Sequence, residues 1–458
     1  MAQPFEPHEI GAVVREAMRR LRVPGVALGI VHREAEYVTG FGVTSVENPL
    51  PVDADTLFQI GSITKTVTGT AVLRLVEQGR LHLDAPVRTY LPHLRLADDD
   101  VAARVTLRHL LTHTGGWVGD YFDDFGDGDD ALGRIVDAMA ALPQLTPLGE
   151  VWAYNNAGFY LAGRVIEVAT GMSYEAAVQE LVLGPLGLSR SFFAPGQMMT
   201  YRFAAGHTAT TDPPEIIRRW PLPRTANPVG GLAASVRDLL RYARFHLGNG
   251  RGPDGTPLLT PQTLQHMRSP QVSGECGDHW GLTWGLRNIN GVRLVRHGGS
   301  TSGFMASLVL VPEHEFAIGV LTNATSGAAL HADVTDWALR RYLGVSEPDP
   351  VPLAMDGAAL APYLGRYTGA LSDLELRVAD GHLVLHVWPK GGFPVRDAPP
   401  PPPPPPARAA FVAPERFVVL DGLMKGRRGE FLQHPDGRIA WLRSSRLHAP
   451  AGSAGATA

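Results

Sequence analysis

Residues 347–357, EPDPVPLAMDG, break the 458-residue chain at a proline-rich stretch. Proline fixes φ and carries no N–H, so no helix or inner strand continues through such a segment. The patterning on its two sides differs. Before it, helical and strand-like periodicities alternate. After it, only short strand-like runs occur: YLGRYTG, LELRVADGHLVLHVW, RFVVLDG and RGEFLQHPDGRIAWLR, with ADG and PDG as hairpin turns. The expected organisation is therefore a large first domain over residues 1–345, a linker over 346–360, a small β domain over 361–450 and a flexible tail over 451–458. Within the β domain, the eight prolines Pro399–Pro406 cannot join a ladder and read as an exposed, rigid loop. Docking of that loop to a proline-binding module is the lesser reading.

The first part supplies enough elements for a layered α/β or α+β domain. Residues 8–22 read as a helix and 23–40 as a strand pair interrupted at His32-Arg33-Glu34. From Ser62 the apolar positions Ile63, Val67, Ala71, Val72, Leu75 and Val76 recur at helical spacing, with Gly79 as the stop. Further helices are expected at 106–112, 131–142, 157–169 and 328–342. Ser235 opens another as N-cap, with Asp238 completing a capping box and Gly248 ending it. Residues 292–296, 304–311 and 316–322 read as an antiparallel meander.

Composition removes several function classes. A net charge of −4 excludes the basic footprint of a general nucleic-acid binder. One cysteine, Cys276, excludes an internal disulfide and any multi-cysteine metal site. No apolar run reaches the ~18–20 residues of a membrane span. The N-terminal segment has acidic residues and no apolar core, so no signal peptide is expected and the default location is cytoplasmic. No cofactor or metal is expected, the partner is a small-molecule or peptide substrate, and oligomeric state stays open.

Lysine is the residue whose scarcity is informative. The chain has 38 arginines but only Lys65, Lys390 and Lys425. Arginine serves most surface roles, but it cannot give up its proton. Lys65 lies one helical turn from Ser62, in Ser62-Ile63-Thr64-Lys65, on the same side. A desolvated lysine there can take the serine proton. Read alone, the pattern is also a helix cap followed by a surface lysine. Tyr154-Asn155-Asn156 precedes a helix and can present a phenol and an amide, or equally an aromatic and an N-cap. His297-Gly298-Gly299-Ser300 ends one strand before another. Its glycines allow close backbone approach, and the Ser300 N–H can pair with that of Ser62 as an oxyanion hole. The alternative is a glycine-rich turn with an exposed histidine.

Taken in order, S-x-x-K, Y-x-N and H-x-G resemble the serine penicillin-binding protein and class C β-lactamase superfamily. The stretches FQIGSITKTVTGTAVLRLVEQGRLHLDAPV, TLRHLLTHTGG, NPVGGLAASVRDLLRYARFHL and HGGSTSGFMASLVLVPEHEFAIGVLTN carry the likeness, over about residues 8–345. The last hundred residues are similar to lipocalin-like β domains appended to some relatives. The resemblance implies an antiparallel sheet flanked by helices plus an all-helical lobe, followed by a small β-barrel. It implies Ser62 as acylated nucleophile, Lys65 as its base, Tyr154 as general acid/base, Asn156 as substrate-amide ligand and His297, Gly298, Gly299 and Ser300 on the strand lining the pocket. At the third motif the β-lactamase pattern is Lys-Thr-Gly. A histidine, mostly neutral at pH 7, and Gly298 stand here instead, which weakens the case for penicillin hydrolysis. The expectation is an esterase or D-peptidase/amidase, with an acyltransferase or peptide cyclase as one alternative and a non-catalytic acyl-binding module as another.

Other candidates carry less. His109 and His113 sit four apart on a helix, without the acidic residue of a metalloprotease pair. The acidic run 119–133 reads as a solvated loop, or as a clamp in which Asp123 and Asp124 meet a cationic substrate group. Cys276 reads as an inert thiol. His207 and Trp152 are possible pocket residues.

Overall fold

The structure is a computed structural model and describes residues 5–220 and 222–453. Its first part is built on an eight-stranded antiparallel sheet. In chain order the strands are β1 (Gly25–His32), β2 (Ala35–Gly42), β3 (Val272–Ser273), β4 (His279–Trp280), β5 (Gly285–Ile289), β6 (Val292–Thr301), β7 (Phe304–Val311) and β8 (Phe316–Thr322). They are arranged β2-β1-β8-β7-β6-β5-β4-β3. β1, GVALGIVH, is buried along its whole length, because helices cover both faces. Val26, Leu28 and Ile30 face the helices Pro7–Leu21 and Gly327–Leu343, while Ala27 and Val31 face the larger core containing Val236–Leu247. The period-two alternation thus serves two cores. Each fully buried Val, Leu or Ile contributes about 1.5–3 kcal/mol.

The helix Thr64–Glu77 departs from the one-sided stripe expected of it. Thr64, Lys65, Thr66, Thr68 and Thr70 are buried as well as its apolar residues. It runs between the sheet and the all-helical lobe, with no face to solvent over its first turns. The threonine hydroxyls are satisfied by their own helix: Thr66 donates to Ile63 O at 2.7 Å and Thr70 to Thr66 O at 2.9 Å. Thr68 and Thr70 also bond Tyr174 and Tyr242. The capping box expected at Ser235 is half formed. Ser235 accepts from Asp238 N–H, but the Asp238 carboxylate instead accepts from Arg190 N–H and the Ser191 hydroxyl.

The third motif is strand rather than turn. β6 continues through His297-Gly298-Gly299-Ser300 to Thr301, paired with β7 from Val295↔Leu310 to Thr301↔Phe304. The glycine-rich turn, the alternative reading of this segment, is not formed, and Gly299 marks close packing.

The second part is a closed barrel of eight antiparallel strands in sequential order. They are β9 (Gly365–Thr368), β10 (Ser372–Ala379), β11 (His382–Pro389), β12 (Ala407–Ala413), β13 (Arg416–Val419), β14 (Arg428–Gln433), β15 (Ile439–Ser444) and β16 (Arg446–Pro450). Closure of β9 on β16 removes free edges. Tyr367, Leu374, Leu385, Phe411, Phe417, Phe431 and Leu442 fill the interior, as suits a barrel of this strand number. The polyproline run lies between β11 and β12, outside the ladder and largely exposed. Of the expected tail, 451–453 form an exposed turn, and 454–458 lie outside the described residues.

Candidate active site

Ser62 sits in a single 3-10 turn, Gly61–Ile63, that feeds the buried helix. β6 lies against this turn with almost no clearance. A Cβ on Gly299 would overlap the Ile60 carbonyl and lie 3.1 Å from Ser62 N; one on Gly61 would lie 2.6 Å from Ser300 N. Gly61 also has φ of +51°, which L side chains rarely adopt. Two glycines therefore bring the Ser62 and Ser300 amides onto one small region. Gly298 has no such constraint: its nearest neighbour to an added Cβ is Ala306 O at 3.7 Å.

Lys65 Nζ lies 3.0 Å from Ser62 Oγ and donates to Val229 O at 2.7 Å. The side chain is fully buried and packs under the rings of Tyr154 and Phe159, 5.1 and 5.5 Å from their centroids. Burial pushes its ammonium well below the usual lysine range. The Arg446 guanidinium pushes the same way, and Asp120 opposes it.

The Tyr154 phenol oxygen is buried without a full hydrogen-bond partner, although Ser62 is close enough to draw its proton affinity down. Burial outweighs that and keeps the phenol protonated. Asn156 donates its amide to Asp120 Oδ1 at 2.6 Å, which fixes which way the amide faces. His297 donates from Nδ1 to Gly298 O at 2.7 Å, leaving Nε2 a lone-pair acceptor that is buried and unpartnered. Burial and the nearby Lys65 pull its imidazole down to about 3, so it is neutral. The structure thus gathers Ser62, Lys65, Tyr154, His297, Gly299 and Ser300 in one place. Asn156 joins them through Asp120, and Gly298 occupies the same strand.

Four further residues belong to this neighbourhood. His113 stacks on Tyr154 with centroids 4.3 Å apart, and accepts from Asn155 N–H at Nδ1. Trp280 closes the aromatic wall, 5.0 Å from His113 and 5.8 Å from His297. Asp120 and Arg446 form an ion pair at 2.8 Å, and the Arg446 guanidinium lies 4.8 Å from the centroid of the Tyr154 ring. Arg446 comes from the barrel. Its neighbour Ser445 accepts from Tyr154 N–H at 2.7 Å and donates to the Glu275 carboxylate. Arg443, buried and paired with Glu430, donates to Trp152 O at 3.0 Å and Gly274 O at 2.9 Å. The β15–β16 corner therefore fixes the backbone on which Tyr154 stands. No local pattern in LRSSRLHAP announces this.

Three of the six aspartates in the acidic run, Asp120, Asp123 and Asp129, pair with arginines of the protein itself, while Asp124 is exposed and accepts the Gly126 N–H. Asp123 pairs with Arg396 of the barrel at 3.1 Å, Asp129 pairs with Arg224 at 2.7 Å, and Phe122 meets Phe393 edge-on at 4.9 Å. The segment docks the barrel, so Asp123 is not a free clamp for a cationic substrate. His207 is used structurally, accepting Val46 N–H at Nε2 and bonding Asn323 O at Nδ1. Trp152 packs on Trp280 at 5.3 Å. Burial pushes the Cys276 thiol up to about 12, which keeps it inert. Among the described residues no helix is long and apolar enough to cross a membrane, and no His/Cys/Asp/Glu group could hold a metal.

The beta-lactamase family profile matches residues 10–341, nearly all of the first part. The chain belongs to the beta-lactamase family. Penicillin-binding protein 4 of Amycolatopsis lactamdurans is 36% identical over 363 residues, covering 76% of this chain and 94% of that protein. Esterase EstB of Burkholderia gladioli is 32% identical over 320 residues, covering 62% of this chain and 79% of that protein. Among solved structures, SurE superposes with a TM-score of 0.70, and its complex with D-Leu with 0.69, both at 27% identity. These matches cover 97% of this chain and 98% and 99% of the two SurE chains, so they run through the barrel as well as the beta-lactamase-family part. The protein is accordingly a serine hydrolase of the β-lactamase and penicillin-binding-protein type.

Proposed function

We propose that the protein acts through a Ser62 acyl-enzyme on small esters, amides or peptides that carry D-residues. The observation that carries this reading is the fully buried Lys65 amine, 3.0 Å from Ser62 Oγ and without a carboxylate partner. Buried in this way, the amine is favoured in its neutral form and is available as a base. Ser62 Oγ attacks the substrate carbonyl carbon while its proton passes to Lys65 Nζ. The oxyanion that forms is held by the Ser62 and Ser300 N–H groups. Tyr154 gives its phenolic proton to the leaving oxygen or nitrogen as the carbonyl re-forms, and recovers a proton from Lys65. Water then attacks the ester and the same groups run in reverse, releasing the acid and free Ser62.

His297 supports this substrate class. A neutral imidazole replaces the ammonium that would pair with a penicillin carboxylate, which favours esterase or D-peptidase/amidase activity over efficient β-lactam hydrolysis. The likeness to EstB supports the ester half, and that to a structure holding D-Leu supports D-residues. A cleft lined by Trp117, Leu145, Tyr154, Trp441 and Leu447 has apolar walls and runs between the first part and the barrel. The second reading is an amine in place of water as acyl acceptor, since the acyl-enzyme step is the same for both. A silent acyl-binding module is disfavoured, because nucleophile and base stand together.

Turnover of p-nitrophenyl esters, paired D- and L-amino-acid anilides and a penicillin, each with and without an added amine, tests this assignment. Ester and D-anilide cleavage well above the L-anilide and the penicillin is expected. A preference for the L-anilide or the penicillin would overturn the substrate class.

A further inference from the structure

Asp120 occupies a place that no motif predicts. Its side chain is only 3% exposed. One oxygen takes the Asn156 amide at 2.6 Å and an Arg446 nitrogen at 3.2 Å; the other takes Arg446 Nε at 2.8 Å. Those two partners come from opposite sides of the cleft. Asn156 opens the helix Ala157–Thr170, and Arg446 begins β16 of the barrel. The guanidinium so held lies against the ring of Tyr154. We propose that Asp120 is a positioning residue that brings the barrel into the acid–base chemistry, by fixing the Asn156 amide and holding Arg446 against Tyr154.

The charges around Lys65 and Tyr154 make the role measurable. The groups facing them are Arg446, Asp120, His113 and His297. Burial holds both histidines neutral, so Arg446 and Asp120 are the formal charges acting on Lys65, of opposite sign, with Glu275 and Arg427 beyond Arg446 and Arg296 beyond His297. Removing one leaves the other unbalanced beside the base. The Asp120→Asn substitution keeps an acceptor for Arg446 but removes its paired carboxylate and leaves only the more distant Glu275 to offset it, which disfavours a protonated Lys65. The Arg446→Met substitution leaves Asp120 uncompensated, which favours it.

The proposal rests on the Ser62 acyl-enzyme reading, and the experiment separates the two. The kcat/KM against pH is measured for p-nitrophenyl ester cleavage in the full-length protein, with near-UV circular dichroism confirming each fold. The acid limb is expected to move down in Asp120→Asn and up in Arg446→Met, each on the order of one pH unit. It returns toward the wild-type position in the double variant. Arg446→Lys retains the charge without the fork and is expected to lower kcat while leaving the limb near its wild-type position. Limbs that stay put in both single variants, or move the same way, would overturn the proposal and leave the pair as a docking contact. Should Asp120→Asn not fold, Arg446→Met against Arg446→Lys decides: equal limbs in these two overturn it. Absence of any Ser62 adduct in the wild type would instead overturn the underlying reading.

Discussion

Gly299→Ala isolates the geometry on which the proposed chemistry depends. The new methyl would overlap the Ile60 carbonyl oxygen and sit 2.8 Å from its carbon and 3.1 Å from Ser62 N. Comfortable contact between such atoms begins near ~3.5 Å, against 1.9 Å to the Ile60 oxygen, so β6 must retreat from the Ser62 turn by roughly 1.5 Å along that contact. An oxyanion donor works within about 2.7–3.1 Å of its target, and the displaced Ser300 N–H no longer meets that condition. The loss of one such donor costs roughly 10²–10³ in kcat, or about 3–4 kcal/mol of transition-state stabilisation. The overpacked core loses about 1–3 kcal/mol of stability. Gly298→Ala is the matched comparison, since its methyl meets nothing nearer than 3.7 Å and β6 need not move. Steady-state ester hydrolysis and thermal melting of both variants provide the readout. The account predicts a collapse of kcat for Gly299→Ala and retention of most activity for Gly298→Ala. A Gly299→Ala enzyme that melts normally and turns over within threefold of wild type would refute the reasoning.

Two other perturbations follow from buried ionisable groups. Lys65→Arg places an ion that cannot release its proton beside Ser62, and should lower kcat by about 10²–10⁴ at every pH from 6 to 9; single-turnover acylation checks this. His246 is fully buried between Tyr242, Phe245 and Trp284, both ring nitrogens are unpartnered, and burial holds its proton affinity well below the usual value. The folded state therefore disfavours protonation that the unfolded chain accepts near pH 6.5. Its stability contribution is full above that pH and falls away as pH drops toward the depressed folded value. His246→Phe should remove about 2 kcal/mol of the stability lost between pH 7 and pH 5, measured by urea unfolding at both values.

Local patterning carried much of the fold, and the reasons it stopped are physical. The alternation in β1 and the stop at Gly79 are local properties of a strand and a helix, and both are visible in the chain. The Ser62–Lys65 pair is equally local, because one helical turn sets its geometry. At Gly298-Gly299 the sequence leaves close approach and a turn side by side, since glycine signals both, and only the Ile60 carbonyl against Gly299 distinguishes them. Asp120 and Arg446 are 326 residues apart, Asp120 in an acidic run that reads as a solvated loop and Arg446 in a segment that carries no motif. Asp120 even lies inside the acidic run singled out from the sequence, but the run's attention went to Asp123 and Asp124. His113 reads with His109 as a helical pair, whereas it lies past the end of the helix Leu107–Leu111 as the plate behind Tyr154. Such pairings need the tertiary fold, because nothing nearby in the chain fixes them.

Intact-mass spectrometry after brief incubation with an activated ester bears most directly on the proposed Ser62 chemistry. The wild-type protein is predicted to gain the mass of one acyl group, mapped to the peptide containing Ser62, and to lose it on standing. Ser62→Ala should gain nothing. An adduct that persists in Ser62→Ala, or that maps to another residue, would contradict the account.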